Sequence, residues 1–226
     1  YGPPGRPAFA AVGMVLVAAR HARQGVGRRL MRHIISTTGP TPLTLHATPT
    51  GQPLYEELGF KVIGSAEMVR GRLSPGAPGD PPSPITTRAA TADDLTAVLR
   101  LDGEVFGADR THILARLPAF ADRFRVAEDN GTLIGYAAAW PTTDSHVVGP
   151  LIARDTETAK ALLSSLAART GGPLRTDIDV RHGELLAWVK AHGLSSVAHN
   201  AVMILGTTEL PGDWRRRFAP LTVAAC

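Results

Sequence analysis

Leu43–Gly64, LTLHATPTGQPLYEELGFKVIG, is the stretch on which the reading of this chain turns. Leu43–Ala47 reads as a strand, Pro49 and Gly51 mark a turn, and Leu54, Tyr55 and Leu58 give a short helix one apolar face. Gly59 stands where such a helix stops, and Phe60–Ile63 begins another strand. The expectation is a strand, a helix and a strand in quick succession.

Upstream, Val12–Met31, VGMVLVAARHARQGVGRRLM, has a matching plan. The apolar run Val12–Ala18 reads as a buried strand. A short basic connection leads to Gly25-Val26-Gly27 and then to a helix with Val26, Leu30, Ile34 and Ile35 on one face. Glycines at a strand-to-helix junction leave backbone N–H groups free at the positive end of a helix dipole, and the missing side chains let a pyrophosphate approach. Arg20, Arg23, Arg28 and Arg29 add charge of the matching sign. Two other nucleotide motifs fail here. Leu30 stands where a dinucleotide-binding GxGxxG needs a small residue, with no acidic residue at the required distance, and the GK[ST] of a P-loop is absent.

Taken in order and at this spacing, the two segments resemble the GNAT superfamily of acetyl-CoA-dependent N-acetyltransferases, over residues 8–72. The resemblance implies acetyl-CoA as co-substrate. Its pyrophosphate would lie on Arg23, Gln24, Gly25, Val26, Gly27 and Arg28. The backbone of Val15, Leu16 and Val17, with core side chains, would hold the pantetheine arm and polarise the thioester carbonyl. The family's Tyr-x-x-x-Gly-Phe is Tyr55, Gly59 and Phe60 here. A phenol of pKa near 10 is able to protonate a thiolate whose thiol has a pKa of about 8.5, which makes Tyr55 the candidate general acid. His46 is the candidate base, against the plainer reading of a structural strand histidine. Glu56 and Glu57 read as a solvated helix face. Two positions depart from the family pattern. Ala22 replaces the usual Gln or Arg, and Thr48-Pro49-Thr50-Gly51 stands in place of an Asn.

Ser74–Pro84, SPGAPGDPPSP, has five prolines in eleven residues and reads as a stiff linker. Beyond it, Ile85–Arg88 is a strand, and Thr91 with Asp94 has capping-box spacing before an apolar helix face. A further helix is expected over Arg110–Leu117. Asp129-Asn130-Gly131 joins strands Arg125–Glu128 and Leu133–Ala139 as a hairpin. Then follow a strand over Val147–Ala153, a helix over Thr156–Arg169, a strand over Leu174–Asp179, a helix over Glu184–Ala191, and two short strands ending near Gly206. That order resembles a whole GNAT domain, so the fold expected is α/β, a tandem GNAT architecture with a mixed sheet and flanking helices in each copy. The divisions are 1–73 (the C-terminal half of a first, truncated domain), the linker 74–84, a degenerate second domain over 85–206, and a tail over 207–226. In the second copy Arg154-Asp155-Thr156-Glu157 replaces the glycine loop, and Val189 stands at the position of Tyr55. Carboxylates suit a helix N-terminus but repel a diphosphate. The second copy is therefore expected to pack without catalysing, and to fold alone.

Composition narrows the remaining classes. Three lysines leave 21 arginines among 24 basic side chains, and the net charge is +4. With only 5% aromatic residues the chain lacks the basic and stacking surface of a nucleic-acid binder. No segment suggests a membrane span, the histidines show no metal-ligand spacing, and the lone Cys226 suits a cytoplasmic setting. The expectation is an N-acetyltransferase in which a primary amine, of a small molecule or a peptide, attacks acetyl-CoA directly. It needs no metal, nucleic acid or membrane, and a homo-oligomer stays open. The alternative is an acyl-CoA-sensing module without turnover.

Overall fold

A computed structural model describes residues 9–74 and 85–223. The linker reading over 74–84 thus falls, Ser74 apart, outside the described residues. The strands are β1 (Ala10–Ala11), β2 (Leu43–Ala47), β3 (Lys61–Gly71), β4 (Thr86–Ala89), β5 (Arg123–Asp129), β6 (Thr132–Pro141), β7 (His146–Ala153), β8 (Leu174–Asp179), β9 (Leu194–Leu205) and β10 (Arg217–Ala219). The helices are α1 (Val26–Thr38), α2 (Gln52–Glu57), α3 (Leu95–Phe106), the single turns α4 (Thr111–Leu114) and α5 (Leu117–Phe120), α6 (Thr156–Thr170) and α7 (Gly183–Ala191).

The strands form one mixed sheet in the order β1-β2-β9-β3-β8-β7-β6-β5-β4, with β10 beside β7. The sequence divisions do not divide this sheet. β9, from the second half of the chain, lies antiparallel between β2 and β3 of the first half. β3 in turn lies between β8 and β9 of the second half. Each half lends the other a strand. The expectation that 85–206 folds alone meets this exchange directly, because without β3 the edges of β8 and β9 lose their partners.

Local chemistry explains most of the elements. Asn130 and Gly131 adopt positive φ (49° and 76°) and close the β5–β6 hairpin with Asp129 opposite Thr132. The Asp94 carboxylate accepts the Thr91 N–H at 2.7 Å and also binds Arg88 on β4. On α6, Ala161, Leu162 and Leu166 are buried, while Ser165 accepts a hydrogen bond from Arg125.

Other expectations need correction. In place of two short strands near Gly206 there is one twelve-residue strand, β9. The helix expected over Arg110–Leu117 is two turns, broken where Pro118 enters at the start of α5. The buried strand expected over Val12–Ala18 is strand-paired only at Ala10–Ala11, followed by one bond from Val12 N–H to Thr44 O. Met14 and Leu16 are 73% and 76% exposed, because this segment lies at the sheet edge with one face uncovered. Their side chains are not core. Val12 and Val15, on the other face, do pack against the first-half core.

Candidate active site

The first-half site begins where β1 leaves β2. Their parallel ladder ends at Ala11 opposite Thr44, with the Val12 bond beyond it. Met14 then takes φ +59° and the chain turns away, while β2 continues to Ala47. The two segments splay, and no described strand enters the gap between them. Val15, Leu16 and Val17 follow this turn, with backbone outside the strand ladder.

Further along the chain lies the start of α1. Gly25 caps the helix at φ +73°, with no side-chain cap and no acidic residue in the first turn. A Cβ at Gly25 would meet nothing within 4 Å, so the glycine is required by backbone conformation and not by space. The first hydrogen bond into the helix is Arg29 N–H to Gly25 O, which leaves the preceding N–H groups pointing outward. Gly27 sits against the side chains of Val17 and Leu54, the latter on α2. Arg23 and Gln24 are exposed in the loop, and the Gln24 amide donates to Arg20 O at 3.1 Å. Arg28 is committed to an ion pair with Glu57, so Glu57 is not a purely solvated side chain.

α2 ends in a Schellman motif. Phe60 N–H donates to Tyr55 O and Gly59 N–H to Glu56 O, both at 3.0 Å, with Gly59 at φ +90°. The motif brings the residue after the glycine onto the last helical turn, and the Phe60 ring meets the Tyr55 ring edge-on at 5.9 Å. This is the physical content of Tyr-x-x-x-Gly-Phe. It fixes the Tyr55 ring among Met31, Leu45 and Ala47, and burial raises the phenol pKa above its usual value of 10. Its hydroxyl forms no hydrogen bond among the described residues.

His46 is elsewhere. Alternate residues of β2 face opposite sides of the sheet. Leu43, Leu45 and Ala47 turn towards α1 and Tyr55, whereas Thr44 and His46 line a cavity on the other face. Burial lowers the His46 pKa to about 4, against the partial opposition of Asp179 and a backbone hydrogen bond to Val223. It is neutral at physiological pH and a weak base. The structure does not bring His46 and Tyr55 together.

The equivalent region of the second half is built from the same parts and is closed. β7 and β8 pair in parallel from His146 opposite Leu174 to Val148 opposite Thr176, then diverge. β10 fills the divergence, antiparallel to β7 at Leu151 and Ile152. The following residues press on Gly149, where a Cβ would lie 2.3 Å from Leu221 O. The helix end is also occupied, since the Asp155 side chain accepts from Thr158 N–H at 2.8 Å and from the Thr158 hydroxyl at 2.7 Å. Residues fitting a diphosphate are present at α1 and contradicted at α6.

Sequence reasoning missed this C-terminal segment, reading 207–226 only as a tail. RRRFAP at 215–220 has no periodicity to betray a three-residue strand. It also missed a buried network in which Asp102 accepts from Tyr136 at 2.5 Å and from Arg110 at 3.0 Å. Among the described residues no group of three or more His, Cys, Asp or Glu is placed to hold a metal, and no helix is long and apolar enough to cross a membrane.

Comparison with known proteins agrees with this geometry. Two family models, each described as an acetyltransferase (GNAT) domain, match residues 98–219 and residues 8–73. The chain is 33% identical over 177 residues to the uncharacterized N-acetyltransferase YitH of Bacillus subtilis (strain 168), covering 77% of this chain and 62% of YitH. The chain thus spans less than two thirds of that relative. A proposed acetyltransferase from Pyrococcus horikoshii has a similar fold, with a TM-score of 0.77 at 20% identity over 98% of this chain and 74% of that one. A GCN5-related N-acetyltransferase from Sphaerobacter thermophilus gives a TM-score of 0.54 at 16% identity, over 85% of this chain and 74% of that one. With one family model covering more than half of its length, the chain belongs to the GNAT acetyltransferase family and carries two such domains.

Proposed function

We propose that the first domain transfers an acetyl group from acetyl-CoA to a primary amine. The observation that carries this reading is the contrast between two equivalent helix ends, α1 open under a glycine cap and α6 closed by Asp155. When bound, acetyl-CoA supplies an activated thioester carbon that an amine attacks, yielding an amide and a free thiol. The outward N–H groups of the first turn of α1, with Arg23 nearby, bind the diphosphate. The backbone of Val15–Val17, which forms no strand ladder among the described residues, orients the pantetheine arm and directs N–H groups to the carbonyl oxygen. Tyr55, kept protonated by its burial, donates its phenolic proton to the departing sulfur.

A second reading has one observation in its favour. His46, the sequence's candidate base, is uncharged and weakly basic in this setting, which suits a module that binds acyl-CoA without turning it over. Steady thiol release from acetyl-CoA in the presence of a panel of amines separates the two. Release that depends on the amine supports transfer. Calorimetric binding of one CoA per chain with no release supports the sensor.

A further inference from the structure

We propose that the groove where β4 ends, beside the C-terminal end of α6, is a binding site for a small phosphate monoester with an apolar body. The site belongs to the second domain and does not depend on acetyl transfer by the first.

The groove exists because an edge strand stops early. β4 pairs with β5 only as far as Ala89 opposite Arg125, followed by one bond from Ala90 N–H to Phe124 O. The chain then turns towards α3, so Arg123, the first residue of β5, has no strand beside it on that edge. The last turn of α6 and the α4–α5 segment border the gap, which holds about 1650 Å³ of space, part of it open to solvent. α6 is fifteen residues long, about 22 Å at 1.5 Å per residue. Its Asp155-capped start, the counterpart of the glycine loop at α1, is at its other end.

Charge is the second ground. Arg123, Arg125 and Arg169 line the groove, and Asp122 is the only carboxylate among its described lining residues. Asp122 already faces Arg123 and His146, each at 3.4 Å. The half-buried Arg125 is anchored by neutral acceptors, its Nε donating to Ser165 Oγ at 2.7 Å and its Nη2 to Thr87 O at 3.3 Å. Burial, and then the positive charge of Arg169, lower the Arg125 pKa. The carboxylates of Asp94 and Glu128 do not relieve this, since both are bound to Arg88. A plainer reading gives these arginines to the C-terminus of α6, and Arg123 Nε does donate to Arg169 O at 3.1 Å. That helix end carries about −0.5 of a charge and Asp122 one more, against three guanidiniums, so roughly +1.5 is left over. A phosphate monoester carries about −1.5 to −2 at neutral pH, whereas a carboxylate carries a single charge. Beside the cations the lining is apolar, with Leu95, Pro118 and Phe124 among alanines, which suits the body of the ester.

The test is calorimetry in phosphate-free buffer, titrating phenyl phosphate, inorganic phosphate and benzoate into the whole chain and into G25D, R125Q, R169Q and R215Q. Phenyl phosphate should bind at least threefold more tightly than either of the other two anions. Its site should survive unchanged in G25D, where a carboxylate occupies the α1 loop. R125Q and R169Q should each weaken it at least fivefold. The Arg215 side chain is 92% exposed and lies outside the groove, so R215Q removes the same charge and should change the affinity less than twofold. Arg169 is exposed, so R169Q carries the test alone if R125Q does not fold. No binding of phenyl phosphate, binding no tighter than that of inorganic phosphate or benzoate, loss of the site in G25D, or equal affinities in R169Q and R215Q would overturn the proposal.

Discussion

Tyr55 and His46 show how one side chain's surroundings decide what it is able to do. Removing the Tyr55 hydroxyl as Tyr55→Phe keeps the ring and its contact with Phe60, so CoA affinity should be unchanged. Turnover should fall by roughly 10²–10⁴-fold if the phenol is the proton donor, measured as thiol release at saturating acetyl-CoA. An unchanged rate would reduce Tyr55 to a packing residue. His46 affects stability in a direction fixed by its shift. Its folded pKa of about 4 lies below the unfolded value of 6.5, so between these values the unfolded chain binds the extra proton. Stability from His46 is therefore complete above pH 6.5 and lost as pH falls towards 4. His182, whose ring nitrogen is 2.7 Å from Arg217 O, is lowered in the same direction by burial. Thermal melts across pH 4–7 should slope downwards into acid, and His46→Gln should flatten part of that slope. A melting curve indifferent to pH in this range would contradict the burial of both imidazoles. Tyr55 was legible in the sequence because the Schellman motif ties it to a fixed spacing from Gly59 and Phe60. The surroundings of His46 were not, because they include Asp179 and Val223 from distant parts of the chain.

Helix ends and strand splits carry the difference between the two domains. α1 and α6 start at comparable places, yet one begins at a glycine in the left-handed region and the other at an aspartate that satisfies its own helix. Gly25→Asp should abolish CoA binding, because it puts a carboxylate among the N–H groups meant for a diphosphate. Gly25→Asn controls for backbone, since Asn tolerates positive φ and carries no charge. Calorimetry should rank the glycine protein first, Asn next and Asp last. Equal affinity of the two variants would show that charge at this loop is irrelevant. The second split depends on a different glycine. Gly149 lies under the carbonyls of Pro220 and Leu221, and a methyl group there would sit 2.4 and 2.3 Å from them. Gly149→Ala should displace the segment that follows β10, costing about 1–3 kcal/mol. Limited proteolysis should then trim the C-terminus before the rest of the chain unfolds. The glycine loop and the acidic loop were both legible, since caps are local chemistry. The plug was not, since a three-residue strand takes its identity from the gap it fills.

At the scale of the molecule, the strand exchange makes two domains into one cooperative body. Local patterns located nearly every helix and strand, because periodicity and capping are properties of short segments. Which strand lies beside which was beyond them. Nothing within β3 or β9 says that its neighbours belong to the other half. The pairing follows from long-range register, such as Met68 opposite both Asp177 and Ala198. This has a testable consequence. A protease site placed in the proline-rich stretch 75–84, and then cut, severs the only covalent link between the halves. If the second domain folded by itself, as the sequence suggested, its piece would separate from the first and melt independently. In the exchanged sheet, separation strips β3 from both its partners and opens β9 on both edges, leaving rows of buried backbone groups without hydrogen bonds. The cut protein should therefore elute as one complex, melt in a single transition, and keep its capacity for CoA. Each piece expressed alone should be insoluble or unfolded, and refolding the two together should restore the complex. Recovery of a folded, monomeric 85–226 piece would contradict the exchange of β3 and β9.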